Sequence, residues 1–169
     1  MRTLLVMRHA KSDWDAAYAH DHERPLNQRG ARSARLMGRA LAERGRVPSL
    51  VITSTAVRAR STATLANEAG KWDAEIILDP NLYGTGADDA IEVASMASDV
   101  DRLMLVGHQP AWSTLVSKLT GQRVDMKTAT VAVIELDIDH WSKLPSEQGR
   151  LAAVLQPGHD LEAEIGPRS

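Results

Sequence analysis

Three short segments combine cationic side chains, histidine and helix-capping residues: Arg8-His9, Ser54 to Arg58, and Gly107-His108. Transfer of a phosphoryl group asks for a nucleophile in line with the leaving group and for fixed positive charge around the equatorial oxygens; positioning and electrostatics do most of the work. Arg8, Arg58 and a second histidine supply that charge without a metal. Arginine suits the task because its planar fork donates two parallel hydrogen bonds to phosphate and keeps its charge. A neutral imidazole is nucleophilic near neutral pH and forms a covalent phosphohistidine that water later hydrolyses. His9 and His108 both meet that description. The place directly behind Arg8 favours His9 as nucleophile, with His108 donating to a phosphate oxygen. Singly, each residue has a plainer reading: a histidine after a strand is more often a structural hydrogen bonder, and a lone arginine more often half of a surface ion pair. Only the set specifies chemistry.

Something must bring the set together, and the hydrophobic pattern shows what. Short apolar runs at Leu4 to Met7, Leu50 to Ile52, Glu75 to Leu78 and Leu103 to Val106 read as strands, alternating with helix-period segments. The helices are expected from Gly30 to Arg44, from Ser54 or Thr55 to Gly70, from about Asp88 to Ser98, and from Pro110 to Gly121. On the first, Arg32, Arg35, Arg39 and Glu43 lie opposite Ala34, Met37 and Leu41, the ordinary solvated face of an amphipathic helix. Ala129 to Leu136 and Arg150 to Leu155 read as an antiparallel pair joined by a polar loop from Asp139 to Gly149. The expected fold is an α/β three-layer α/β/α sandwich with a mostly parallel mixed sheet. Residues 1–163 are expected to form one domain and 164–169 a frayed tail. In such sheets ligands bind beyond the carboxyl ends of strands, where helices begin and their N–H groups favour anions. Each of the three segments follows a strand.

Composition narrows the partners. Twenty basic against twenty-two acidic residues leave a charge of −2, so no global positive field points to nucleic acid or an anionic membrane. The absence of cysteine removes disulfides, thiolate nucleophiles and thiolate metal sites. The run Thr3 to Met7 is too short for a signal peptide's apolar core, and no stretch approaches a transmembrane helix. The expected compartment is the cytoplasm. A phosphorylated protein or a small phosphorylated molecule is the expected partner, and oligomeric state is not legible.

Four ordered blocks carry a resemblance: Met7-Arg8-His9-Ala10-Lys11-Ser12; Arg24-Pro25-Leu26 with Arg29-Gly30; Ser54 to Arg58 with Ala59 and Thr62; and Val106-Gly107-His108-Gln109-Pro110. The chain resembles the histidine phosphatase superfamily, of phosphoglycerate-mutase-like fold, and within it the short bacterial phosphohistidine phosphatases of the SixA type. The likeness spans residues 4 to 112, and the C-terminal third matches mainly in length and strand pattern. It implies a covalent histidine at His9, phosphate-binding arginines at Arg8 and Arg58, a second pocket histidine at His108, and neither cofactor nor catalytic metal. One departure bears on substrate. Mutases and many alcohol-phosphate phosphatases of the superfamily carry a mid-chain glutamate that protonates the leaving oxygen; Asn81-Leu82-Tyr83-Gly84 stands in that region without a carboxylate. An alkoxide needs a positioned acid, whereas phosphohistidine releases a neutral imidazole once its ring is protonated. The missing acid favours an N–P substrate, unless Asp13, Asp21, Glu23, Asp88 or Asp89 reaches the pocket. The alternatives are a phosphomonoesterase for small sugar or acid phosphates and an inactive phosphate- or phosphoprotein-binding module.

Weaker features remain open. Lys11, Ser12 and Arg24 are candidate substrate-binding residues, yet Lys11 and Ser12 also suit a loop, and Arg24 suits an ion pair pinning its own loop. His20-Asp21-His22-Glu23 has metal-ligand types but no second cluster, which favours a solvated loop or substrate rim. Of four tryptophans only Trp14 lies near enough to the nucleophile to line a pocket. His140 and His159 read as structural or exposed.

Overall fold

The structure, a computed structural model, describes residues 1–146, 148–158 and 162–164. Its strands are β1 (Arg2–Arg8), β2 (Leu50–Thr53), β3 (Glu75–Leu78), β4 (Arg102–Gly107), β5 (Val131–Leu136), β6 (Arg150–Leu155) and β7 (Glu162–Glu164). Helices α1 (Gln28–Glu43), α2 (Val57–Gly70), α3 (Ala87–Ser95) and α4 (Ala111–Thr120) connect the first five in turn. All seven strands form one sheet in the order β3-β2-β4-β1-β5-β6-β7. The four strands from β3 to β1 are mutually parallel, and β5, β6 and β7 add antiparallel pairings.

The period-two geometry of a strand sends alternate side chains of β1 to opposite faces. Leu4 and Val6 join Leu103, Leu105, Trp112 and Leu115 in one cluster, under α3 and α4. Leu5 and Met7 join Ala34, Met37, Ala59 and Met104 in the other, under α1 and α2. Both faces are covered, which is why these strands are uninterrupted apolar runs. The layering follows from handedness: crossovers between parallel strands are right-handed. The chain steps one way along the sheet through α1 and α2, then turns back through α3 and α4 on the opposite face. β1 and β4 are neighbours whose chains leave towards opposite faces. The crevice that opens beyond their carboxyl ends is the switch point of the sheet.

Element ends moved by a few residues for identifiable reasons. Asn27 caps α1, accepting the Gly30 N–H at 2.7 Å, so the helix starts at Gln28. α2 starts at Val57 without a side-chain cap, because the Ser54 hydroxyl that was expected to cap it serves the Ala56 N–H and His108 instead. α3 opens at Ala87 with Asp89 accepting the Gly86 N–H, and ends at Ser95. The polar loop from 139 to 149 contains a 3-10 turn, Trp141–Ser146, that buries Trp141 and Leu144 against the α3 side of the core. β7 had no counterpart in the sequence reading. Its Glu164, the first residue of the expected tail, pairs with Ala153; residues 165–169 and His159 lie outside the described residues.

Candidate active site

Arg8 and Gly107 are register partners at the ends of β1 and β4, so the next residues, His9 and His108, emerge side by side. The His9 N–H donates to the Gly107 carbonyl at 3.0 Å, and the two rings stand 5.2 Å apart at 55°. Gly107 is required here, since a Cβ would lie 2.4 Å from the Trp112 ring. Trp112 in turn donates its indole N–H to the Met7 carbonyl at 2.9 Å, tying α4 to β1 just below the site.

His9 is 7% exposed. Its Nδ1 lies 2.7 Å from the Ala10 carbonyl, an oxygen that can only accept, so Nδ1 carries the proton and Nε2 keeps the lone pair. Burial lowers the His9 pKa to about 4; the Ala10 bond opposes this, and the positive charges of Arg58, Arg8 and Arg24 reinforce it. Burial likewise lowers His108 to about 3, assisted by His9 and Arg58. Both rings are neutral at neutral pH, the state a nucleophilic imidazole needs. His108 Nε2 sits 2.8 Å from the Ser54 hydroxyl, which positions the ring.

Arg8 anchors Nη1 on the Met126 carbonyl at 3.1 Å, and among the described residues Nη2 has no partner. Ala129 and Thr130 were expected to open a strand that in fact starts at Val131; with residues 126–128 they back the site, Ala129 donating to the His9 carbonyl in a left-handed conformation. Arg58, 5% exposed, stands in the first turn of α2. Thr62 one turn later donates to the Arg58 carbonyl at 2.7 Å and accepts the Ala10 N–H at 3.0 Å, joining α2 to the loop that carries His9.

Asp21 is the residue that sequence reasoning undervalued. Arg58 donates Nη1 to its carbonyl at 2.7 Å and Nη2 to its carboxylate at 2.9 Å. Arg24 Nη2 donates to the same carboxylate at 2.9 Å, and the Tyr83 hydroxyl does so at 3.1 Å. Partial desolvation raises the Asp21 pKa, but the hydrogen bonds and charges of Arg24, Arg58 and Tyr83 outweigh it and hold the carboxyl at about 2. Tyr83 comes from the stretch where an acid was missed. Its ring meets His22 and His108 edge-on at 4.8 and 5.6 Å.

A cleft of about 520 Å³ joins these groups, lined by Arg8, His9, Arg58 and His108 together with Lys11, Ser12, Trp14, Arg24, Asp21, Tyr83, Gly84, Gln109 and Thr128. Four cations face one carboxylate in a chain of net charge −2. Lys11 is exposed at the rim. Ser12 is buried and accepts from Arg24 Nη1, and Arg24 also stacks 3.6 Å over Trp14. Arg24 therefore pins its loop and lines the cleft at once. The remaining carboxylates under consideration are elsewhere: Asp13 holds the Asp15 N–H, Asp88 pairs with Lys118, Asp89 caps α3, and Glu23 is exposed. His22 bonds Thr55 at 2.7 Å while His20 is exposed, and among the described residues no three His, Asp or Glu side chains converge as a metal would need. A second cleft of about 540 Å³ between β3 and α3 carries Glu75, Asp79, Asp89 and Glu92 with no cation in its lining, so its field repels phosphate.

The profile of the Histidine phosphatase superfamily (branch 1) matches residues 4–86, which hold the Arg8-His9 and Arg58 segments. An uncharacterized protein of Mycobacterium tuberculosis is 36% identical over 161 residues, 88% of this chain and 96% of the relative. The chain belongs to the histidine phosphatase superfamily. Among solved superfamily-like structures, a chain from Nakamurella multipartitia provisionally named phosphohistidine phosphatase SixA is 28% identical and superposes with a TM-score of 0.77, covering 94% of this chain and 97% of that one. A mycobacterial glucosyl-3-phosphoglycerate phosphatase shares the fold at a TM-score of 0.66 and 16% identity, over 89% and 97% of the two chains. The superfamily fold and the α/β/α sandwich expected from the strand pattern agree. No helix among the described residues is long and apolar enough to cross a membrane.

Proposed function

We propose that this chain is a phosphohistidine phosphatase that works through a phosphoryl group carried on His9. Nε2 of His9 attacks phosphorus, the N–P bond of the substrate breaks, and the substrate imidazole leaves as a neutral ring after protonation. Arg8 and Arg58 hold the equatorial oxygens through charge-assisted bonds, and His108, uncharged at neutral pH, adds a neutral contact. Water then attacks the phosphohistidine, releasing inorganic phosphate and restoring His9. Lys11, Ser12 and Arg24 border the substrate. The reaction needs no metal, since arginines supply the charge a divalent ion would bring, and the protein acts in the cytoplasm as one catalytic domain.

The observation that carries the choice of substrate is the state of Asp21. Among the described residues it is the single carboxylate lining the cleft, and its cationic neighbours hold it ionised at about 2. An acid that has already lost its proton cannot protonate an alkoxide. A phosphoramidate does not ask for that proton from the enzyme. Turnover of a phosphohistidine-bearing protein beside a panel of sugar and acid phosphate monoesters tests the reading, and the expected result is preference for the N–P substrate. A clear preference for any monoester overturns it. Exhaustive chelation is expected to leave turnover intact while vanadate, as a mimic of five-coordinate phosphorus, inhibits; loss on chelation with recovery on added metal would assign a metallophosphatase instead.

A further inference from the structure

Arg29, Arg32, Arg35 and Arg39 follow one another at three- and four-residue spacing on the solvent face of α1. A solvated amphipathic face explains their exposure but not their surroundings. Among the described residues, the side chains of the four form no hydrogen bond and no ion pair. Like charges at this spacing repel. The first turn of α1 holds Arg29 and no acid, so that cation sits at the end of the helix dipole that disfavours it. The row is thus charged against the helix's own stability: Glu43 stands four residues beyond Arg39, and among the described residues no acid pairs with any of the four.

The row also has a location. With Ser33 and Leu36 the four arginines line one shallow concavity of about 440 Å³, in which Leu36 is 37% exposed. Its near end is fastened to the active-site rim: the Asn27 N–H donates to the Lys11 carbonyl at 3.0 Å, and Gly30 packs on the same carbonyl so closely that a Cβ would lie 2.0 Å from it. From Arg29 to Arg39 the row then runs away from the cleft for about 15 Å at the helical rise.

We propose that this row is the docking track for an acidic segment of the phosphoprotein substrate, a reading that rests on the protein-phosphatase function proposed above. Carboxylates laid along the row pair with the guanidinium forks and remove their mutual repulsion, while Leu36 seats one apolar side chain between them. The chain as a whole, at net charge −2, carries no wider positive field to hold a nucleic acid backbone.

The test compares the full chain with the fourfold variant Arg29→Gln, Arg32→Gln, Arg35→Gln, Arg39→Gln. The probe is a dye-labelled glutamate-rich peptide with a central leucine, set beside a DNA duplex and phosphatidylserine vesicles. The full chain is expected to bind the peptide in a salt-sensitive manner, and the variant to bind it at least about tenfold more weakly. The variant's melting temperature is expected to equal or exceed that of the parent, since repulsion is removed. Its turnover of a small phosphoramidate should be unchanged, while KM for an acidic phosphoprotein rises with kcat unchanged. Equal peptide binding by the two proteins overturns the proposal, as does tighter arginine-dependent binding of the duplex or the vesicles. If the peptide binds through the arginines and neither protein turns over any phosphoramidate, the docking surface stands and the assigned reaction falls.

Discussion

A single hydrogen bond sets the reactive atom. Because the Ala10 carbonyl takes the Nδ1 proton of His9, the lone pair is presented at Nε2. His9→Ala is therefore expected to abolish covalent capture of labelled phosphate, trapped by an alkaline denaturing quench because the N–P bond is labile in acid, and His108→Ala to leave a trace; mapping the label by mass spectrometry checks both, and label on His108 would exchange their roles. Arg58→Ala should lower kcat/KM by about 10² to 10³, the loss seen when one preorganised donor is removed. Asp21 gives a sharper contrast. Held ionised at about 2, it serves to orient Arg58 rather than to donate a proton. Asp21→Asn should cost no more than about tenfold on a phosphoramidate, whereas loss of a working general acid costs about 10² to 10⁴. A loss in that upper range would make Asp21 an acid after all.

Elements matter here chiefly through their ends. The loop that carries His9 is clamped between α1 and α2: Gly30 presses on the Lys11 carbonyl, and the Thr62 hydroxyl bridges the Ala10 N–H and the Arg58 carbonyl. Thr62 is fully buried, so Thr62→Val leaves the Ala10 N–H without an acceptor at a cost of about 1–3 kcal/mol. Urea denaturation should show a lower midpoint with an unchanged slope. Gly30→Ala should be worse, because the obstacle to its Cβ is backbone rather than a side chain that can swing away.

For the whole molecule, the two buried histidines make stability depend on pH. The His9 pKa falls from 6.5 to about 4 on folding and that of His108 from 6.5 to about 3. Within that window the unfolded chain holds protons that the folded chain does not, so unfolding takes protons up and stability drops as pH drops. The loss begins as pH falls through 6.5; the His9 share, on the order of 3 kcal/mol, is complete below about 4, and the His108 share continues down to about 3. Urea titrations from pH 7.5 to 4 should show this slope, and His9→Asn with His108→Asn should flatten it. A parent protein equally stable across the range would mean that both rings charge freely in the folded state.

How much of this was legible beforehand divides along physical lines. Apolar periodicity and strand-end placement are local properties of a chain, so the α/β/α sandwich and the convergence of Arg8, His9, Arg58 and His108 on one crevice followed from residue types and spacing. The histidine phosphatase superfamily was legible in the same ordered blocks. What tertiary structure alone decided involves partners distant in sequence. Asp21 reads as one polar residue in a polar loop until Arg58 and Tyr83, 37 and 62 positions away, close on its carboxylate. Ser54 reads as a helix cap until His108 arrives from β4 and claims its hydroxyl. The arginines of α1 read as solvated until the fold shows that, among the described residues, no acid pairs with them and that their row begins at the rim of the cleft. Hydrophobic pattern determines which face of an element is buried; the charge that meets a given side chain is determined by packing, which no window of sequence contains.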